Sequence, residues 1–106
     1  MARKVELMYF EGCPSYKTTL EDIQEVVEQE GLDVRIELVK VDSEKDAQRL
    51  RFPGSPTVRV DGVDVDVAAR QPSDFGLVCR LYRAGGRLSG SPSREMLRRA
   101  IKGEPS

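Results

Sequence analysis

The sequence predicts an α/β domain of order β-α-β-α-β-β-α with a mixed four-stranded sheet, and three observations carry that prediction. Short apolar runs rich in β-formers alternate with segments of helical periodicity. Two successive strands separated by a helix pair in parallel through a right-handed crossover. An Asp61-Gly62 pair between two valine-rich runs is a two-residue hairpin signal, which makes the last two strands antiparallel.

In chain order, Val5-Glu6-Leu7-Met8-Tyr9-Phe10 is a mostly apolar run ended by Glu11-Gly12, as expected of a buried central strand. After Cys13-Pro14-Ser15, the residues Tyr16, Leu20, Ile23 and Val27, with Val26 adjacent, form one apolar stripe at helical spacing. Gly31 stops this first helix. Val34, Ile36 and Leu38 alternate with Arg35 and Glu37, and a second strand runs on through Val39 and Val41. Asp42-Ser43 can cap a short helix near residues 44–50. Pro53-Gly54-Ser55-Pro56 breaks the chain sharply before a third strand, Thr57–Val60, and a fourth returns over Val63–Val67. Residues 68–90 carry Gly76, Gly85, Gly86 and Gly90 and read as an inserted loop. Ser91 as cap and Pro92 at the first helical position open a last helix marked by Met96, Leu97, Ala100 and Ile101.

The chain has 106 residues, enough for one domain with its own core and too few for two. Residues 1–106 are therefore expected to form a single unit. With 39% hydrophobic and 33% charged residues the balance is that of an ordinary globular protein. No apolar run approaches the roughly 18 residues of a membrane span, and the start lacks the apolar core of a signal peptide. A cytoplasmic location and no membrane partner are the expectation. Residues 1–48 hold 6 basic and 12 acidic side chains, and residues 49–106 hold 11 and 6. The basic end (Arg80, Arg83, Arg87, Arg94, Arg98, Arg99, Lys102) has no clustered run interleaved with aromatics, so a nucleic-acid surface is not expected. A solvated helix face attracted to the acidic first helix fits better. The sequence sets no oligomeric state.

The chemistry-bearing residues are few. There is no histidine, which removes Ser-His and Cys-His nucleophile pairs and imidazole-based zinc sites. Asp61, Asp64 and Asp66 read as a charged strand edge facing water rather than as metal ligands, because no glycine-kinked ligand loop accompanies them. Two cysteines, Cys13 and Cys79, are too few for a disulfide scaffold. Cys13 follows a strand and stands at the expected helix N-cap, with Pro14 in the first turn. There the unpaired amides favour thiolate over thiol. That arrangement makes a nucleophile without a neighbouring base.

Strand, Gly12-Cys13-Pro14-Ser15-Tyr16, helix, and then Ser55-Pro56-Thr57 ahead of a hairpin resemble the thioredoxin/glutaredoxin superfamily over residues 4–66 and 87–102. The resemblance implies a thioredoxin-like fold. It makes Cys13 the catalytic thiol, Pro56 a cis-proline packed near it, and Pro14, Tyr16, Ser55, Pro56 and Thr57 the substrate-binding surface. Tyr16 stands where a second cysteine of a Cys-x-x-Cys motif is usual, so Cys79 becomes the candidate resolving cysteine. Glu11-Gly12 replaces the glutaredoxin-type lysine, which leaves glutathione only Arg49, Arg51 or Arg59 for its carboxylates; no resident cofactor or metal is expected. The stretch Asp74-Phe75-Gly76-Leu77-Val78-Cys79 resembles a small bacterial thioredoxin-like group, some of whose members are selenoproteins or are labelled alkylmercury lyase-like. Three functions follow. The first is a thiol oxidoreductase acting on a thiol or disulfide substrate through Cys13, with Cys79 or an external thiol resolving the intermediate. The second is capture of a soft metal or organomercurial by Cys13 and Cys79. The third is a non-catalytic interaction domain. The Ser55-Pro56 bond is predicted to be cis, and Cys79 to lie on the Cys13 side of the sheet.

Overall fold

The computed structural model describes residues 3–13, 15–66, 76–78, 80–84 and 86–103. Among them the chain forms β1 (Arg3–Tyr9), α1 (Ser15–Glu30), β2 (Val34–Lys40), α2 (Glu44–Arg49), β3 (Thr57–Val60), β4 (Val63–Asp64), β5 (Tyr82–Ala84), β6 (Arg87–Ser89) and α3 (Arg94–Lys102). The architecture is mixed α/β. A four-stranded sheet has the order β2-β1-β3-β4, with β1 and β2 parallel and both β1–β3 and β3–β4 antiparallel. The crossover and the Asp61-Gly62 turn act as expected, and Asp61 and Gly62 both take the positive φ such a turn requires (52° and 85°).

β1 is the spine of this sheet, and its period-two alternation divides the core. Val5 and Leu7 point to one face, where Val58, Val60 and Val65 meet Ile23 and Val26 of α1 and Leu97 and Ile101 of α3. Each such fully buried aliphatic side chain contributes about 1.5–3 kcal/mol. Met8 points to the other face and packs with Val41, Ala47 and Phe52 around α2. The α1 stripe is rotated slightly from the expected one: Thr19, Ile23 and Val26 are buried, while Leu20 and Val27 flank them. Thr19 is tolerated inside because its hydroxyl donates to the Ser15 carbonyl at 2.9 Å.

The charge asymmetry becomes an interhelical contact. Arg94 of α3 pairs with Asp22 and Glu25 of α1, and Lys102 with Glu30 at 3.0 Å. Exposed pairs of this kind contribute about 0–1 kcal/mol each, so they orient the helices more than they hold them. Glu95, hydrogen-bonded by Arg98 and Arg99 on its own helix, has its carboxyl held below the usual range.

Three expectations need correction. The fourth strand is only two residues long in the described chain, Val67 lying outside it. The stretch 68–90 is not simply a loop: it contains the antiparallel hairpin β5–β6, with Tyr82 opposite Ser89 and Ala84 opposite Arg87. The cap of α3 is Ser93, whose hydroxyl accepts from the Met96 amide at 3.1 Å; Ser91 and Pro92 precede the cap. Gly103 closes the helix in the left-handed conformation.

Candidate functional site

The turn after β1 presents Cys13. Its amide donates to the Phe10 carbonyl at 3.3 Å, and Gly12 holds a φ of 98° that closes the turn. α1 begins at Ser15, so Cys13 lies two residues ahead of the first helical residue. Its thiol is free and the residue is only 3% exposed. Pro14 lies outside the described residues. Tyr16, expected to line the site, stacks on Tyr9 at the end of β1, with ring centroids 4.2 Å apart and planes 18° from parallel. A cation of β2 reaches this turn: Lys40 pairs with Glu11 at 3.0 Å, and that hydrogen bond, with the charges of Glu11 and Asp42, raises its pKa.

The Ser55-Pro56 bond is cis, as predicted. Met8 pairs with Thr57 in the β1–β3 register, so Ser55 and Pro56 lie at the end of β1 from which Phe10 and Cys13 follow. Ser55, Pro56 and Thr57 are all buried. Among the described residues the Ser55 hydroxyl has no hydrogen-bond partner, although it is buried.

The segment after residue 75 crosses this end of the sheet as a strap. Gly76 donates its amide to the Phe52 carbonyl at 3.1 Å, and the Leu77 amide donates to Glu44 Oε1 at 3.1 Å. The Ser55 amide then donates to the Val78 carbonyl at 2.8 Å, and the Arg80 amide to the Ser55 carbonyl at 2.9 Å. Cys79 and the Asp74-Phe75 pair lie outside the described residues, and so does the predicted side of the sheet for Cys79. Its two chain neighbours are both tied to Ser55. Gly54 permits the close crossing: a Cβ there would stand 3.0 Å from Arg80 Cβ and 3.1 Å from the Val78 carbonyl oxygen.

The strap is pinned by a group of residues that the sequence did not bring together. Arg80 is buried. Its Nη1 donates to Asp64 Oδ2 at 2.8 Å and to Thr57 Oγ1 at 3.1 Å, and its Nη2 to Asp64 Oδ1 at 2.9 Å. Asp66 adds a second carboxylate at 3.8 Å, and the guanidinium lies 4.3 Å from the centre of the Tyr82 ring. The Tyr82 hydroxyl donates to the Pro56 carbonyl, and Thr57 donates to the Gly54 carbonyl. Burial pulls the Arg80 pKa down, but the Asp64 hydrogen bonds and the surrounding negative charge outweigh it, and the net shift is upward. Burial raises the Tyr82 pKa well above its ordinary value, against the opposing Arg80 charge.

Asp64 therefore does not face water. It is 6% exposed, whereas Val63 is 47% exposed, the reverse of the expected edge. Arg80 likewise belongs to the interior, not to the solvated basic end. Of the arginines considered for a glutathione carboxylate, Arg59 is engaged with the Leu50 and Arg51 carbonyls at 3.0 and 2.7 Å, tying β3 to the end of α2. Arg49 pairs with Asp46.

No group of three or more metal-ligating side chains occurs among the described residues, and no helix among them is long and apolar enough to cross a membrane. Comparison of the chain with protein-family models, with curated proteins and with solved structures finds no match in any of the three.

Proposed function

We propose that the chain is a thiol oxidoreductase of thioredoxin-like fold, with Cys13 as nucleophile and Cys79, or an external thiol, as resolving partner. One observation carries this reading. The Cys13 turn, the Ser55-Pro56 bond and the backbone on both sides of position 79 converge at one end of the sheet. The Cys13 thiolate attacks a disulfide, forming a mixed disulfide and releasing one substrate thiolate. Attack by the Cys79 thiolate on Cys13 Sγ then forms the protein disulfide and releases the second. An external dithiol returns the protein to its reduced state, taking the oxidising equivalents with it. At 3% exposure Cys13 reacts only when its covering groups move. A cytoplasmic location belongs to the same reading, since free thiols persist in a reducing compartment.

The burial of Cys13 favours a second reading, in which it is a packed small hydrophobe and the domain serves interaction alone. Mass spectrometry of the folded chain after exposure to glutathione disulfide separates the two. The oxidoreductase reading expects the wild type to lose two hydrogens where Cys79 resolves, or to carry a glutathione adduct on Cys13 where an external thiol does, and it expects that adduct in Cys79→Ser. A wild type that keeps both thiols, with no Cys13 adduct in the variant, establishes the second reading instead.

A further inference from the structure

The two end strands of the main sheet differ. β4 has two residues and offers no length for pairing, whereas β2 has seven, with no proline. Among the described residues β2 is backbone-bonded to β1 alone, and none of them pairs with its outer row of amides and carbonyls. Proteins ordinarily blunt such an edge. Leu38 lies on the same face as Val34 and Ile36, which pack on the core, and yet it is 50% exposed. Arg35, on the opposite face, has a side chain 75% exposed.

The sequence of this edge is self-complementary in one register. Two copies of a strand related by a two-fold axis normal to the sheet pair antiparallel about a central residue, and opposed side chains then share a face. Centred on Ile36, the pairing sets Arg35 opposite Glu37 of the second copy twice, and Val34 opposite Leu38 twice. Centred on Arg35, it opposes Arg35 to itself and Asp33 to Glu37. Centred on Glu37, it opposes Glu37 to itself. Centred on Val34, it opposes Asp33 to Arg35 but leaves nearly all of β2 unpaired; of the registers that pair five or more residues of β2, only the Ile36-centred one brings opposite charges together, and it covers the exposed Leu38 with an aliphatic partner. We propose that β2 is the interface of a homodimer, paired antiparallel with β2 of a second copy about Ile36 and joining two sheets into one. Glu37 keeps its Lys4 partner, 3.4 Å away, while the exposed end of Arg35 exchanges its in-strand bond to Glu37 (3.0 Å) for the one across the axis.

Sedimentation equilibrium of the full chain from micromolar to millimolar concentration tests this, with circular dichroism confirming that each variant is folded. The wild type is expected to dimerise. Arg35→Glu or Glu37→Arg alone opposes like charges at two places and is expected to weaken the dimer by about tenfold or more. The double variant Arg35→Glu/Glu37→Arg restores the complementarity and is expected to recover the wild-type constant. Leu38→Glu, at a half-exposed site, weakens the dimer without touching the pair. Amide exchange in β2 slows with concentration in step with association. A wild type that is monomeric throughout, single reversals that leave the dimer unchanged, or a double reversal that fails to restore it each overturns the proposal.

Discussion

Replacing Arg80 by methionine removes the cation from a pocket built around it, and the structure sets the size of the loss. Three charge-assisted hydrogen bonds disappear, two to Asp64 and one to Thr57, each contributing about 1.5–3 kcal/mol. The Asp64 carboxylate, 6% exposed, still accepts from the Asp66 amide at 2.8 Å but loses its cation, with the Asp66 carboxylate as a like charge nearby. These losses do not simply add, because much of the penalty is that of one uncompensated buried charge. Breaking a buried pair costs about 3–5 kcal/mol. We expect about 4 kcal/mol for Arg80→Met, a large part of the roughly 5–15 kcal/mol by which a small domain is stable. Asp64→Asn should cost about 2–3 kcal/mol, since the amide oxygen still accepts from Arg80. The double variant should be less damaged than the sum of the two by about 2 kcal/mol. Urea denaturation of the four proteins, read as free energies with slopes compared, measures this. Native-state exchange adds a local readout: the Arg80 amide, bonded to the Ser55 carbonyl, should lose protection beyond the global change in Arg80→Met, while Leu7 in β1 follows the global value. A cost below about 1 kcal/mol for Arg80→Met, or strict additivity in the cycle, refutes the assignment of Arg80–Asp64 as the pin of the strap.

Three further outcomes are expected. Ser93→Ala should cost about 1 kcal/mol in thermal or urea unfolding and Ser91→Ala close to nothing, because the Ser93 hydroxyl alone accepts from the α3 amide of Met96. Gly54→Ala, which needs both a φ of 142° and space occupied by Arg80 and Val78, should destabilise by more than about 1 kcal/mol; an unchanged unfolding midpoint would mean that the strap does not lie against residue 54. The raised Tyr82 pKa stabilises the neutral hydroxyl in the fold, so its contribution is complete below the unfolded value of 10.0 and is lost as pH rises above it. Alkaline unfolding monitored by tyrosinate absorbance should therefore change in Tyr82→Phe, and a pH profile identical to wild type would contradict that linkage.

The main sheet and its helices were legible because each is written in local periodicity. Val5 and Leu7 alternate, Ile23 and Val26 recur at helical spacing, and Asp61-Gly62 names its own turn. The errors at Asp64 and at the β5–β6 hairpin are non-local. Asp64 and Asp66 both approach Arg80, although β4 ends at Asp64, and whether they meet water depends on a segment that arrives sixteen residues later with that arginine. No window around residue 64 contains that information. β5 and β6 are three residues each, with no apolar alternation to announce them, and they hold because Tyr82 is buried beside Arg80. The cap of α3 was misplaced by two residues among three serines that differ only in backbone geometry. At the candidate site, the position of Cys13 in the turn after β1 was readable. Its burial was not, since that is set by what packs over the turn.

The pin joining Asp64 to Arg80 also bears on how this chain can be cut, grafted or allowed to drift. All four strands of the main sheet are complete by residue 64, which suggests a natural place to trim the molecule or to exchange everything beyond it. A fragment ended there would carry a carboxylate designed for an interior, with its cation gone and Thr57 stripped of its donor. The later segment is thus not a detachable module: its Arg80 completes the interior that Asp64 of the sheet begins, and a cut between the two leaves each charge without its buried partner.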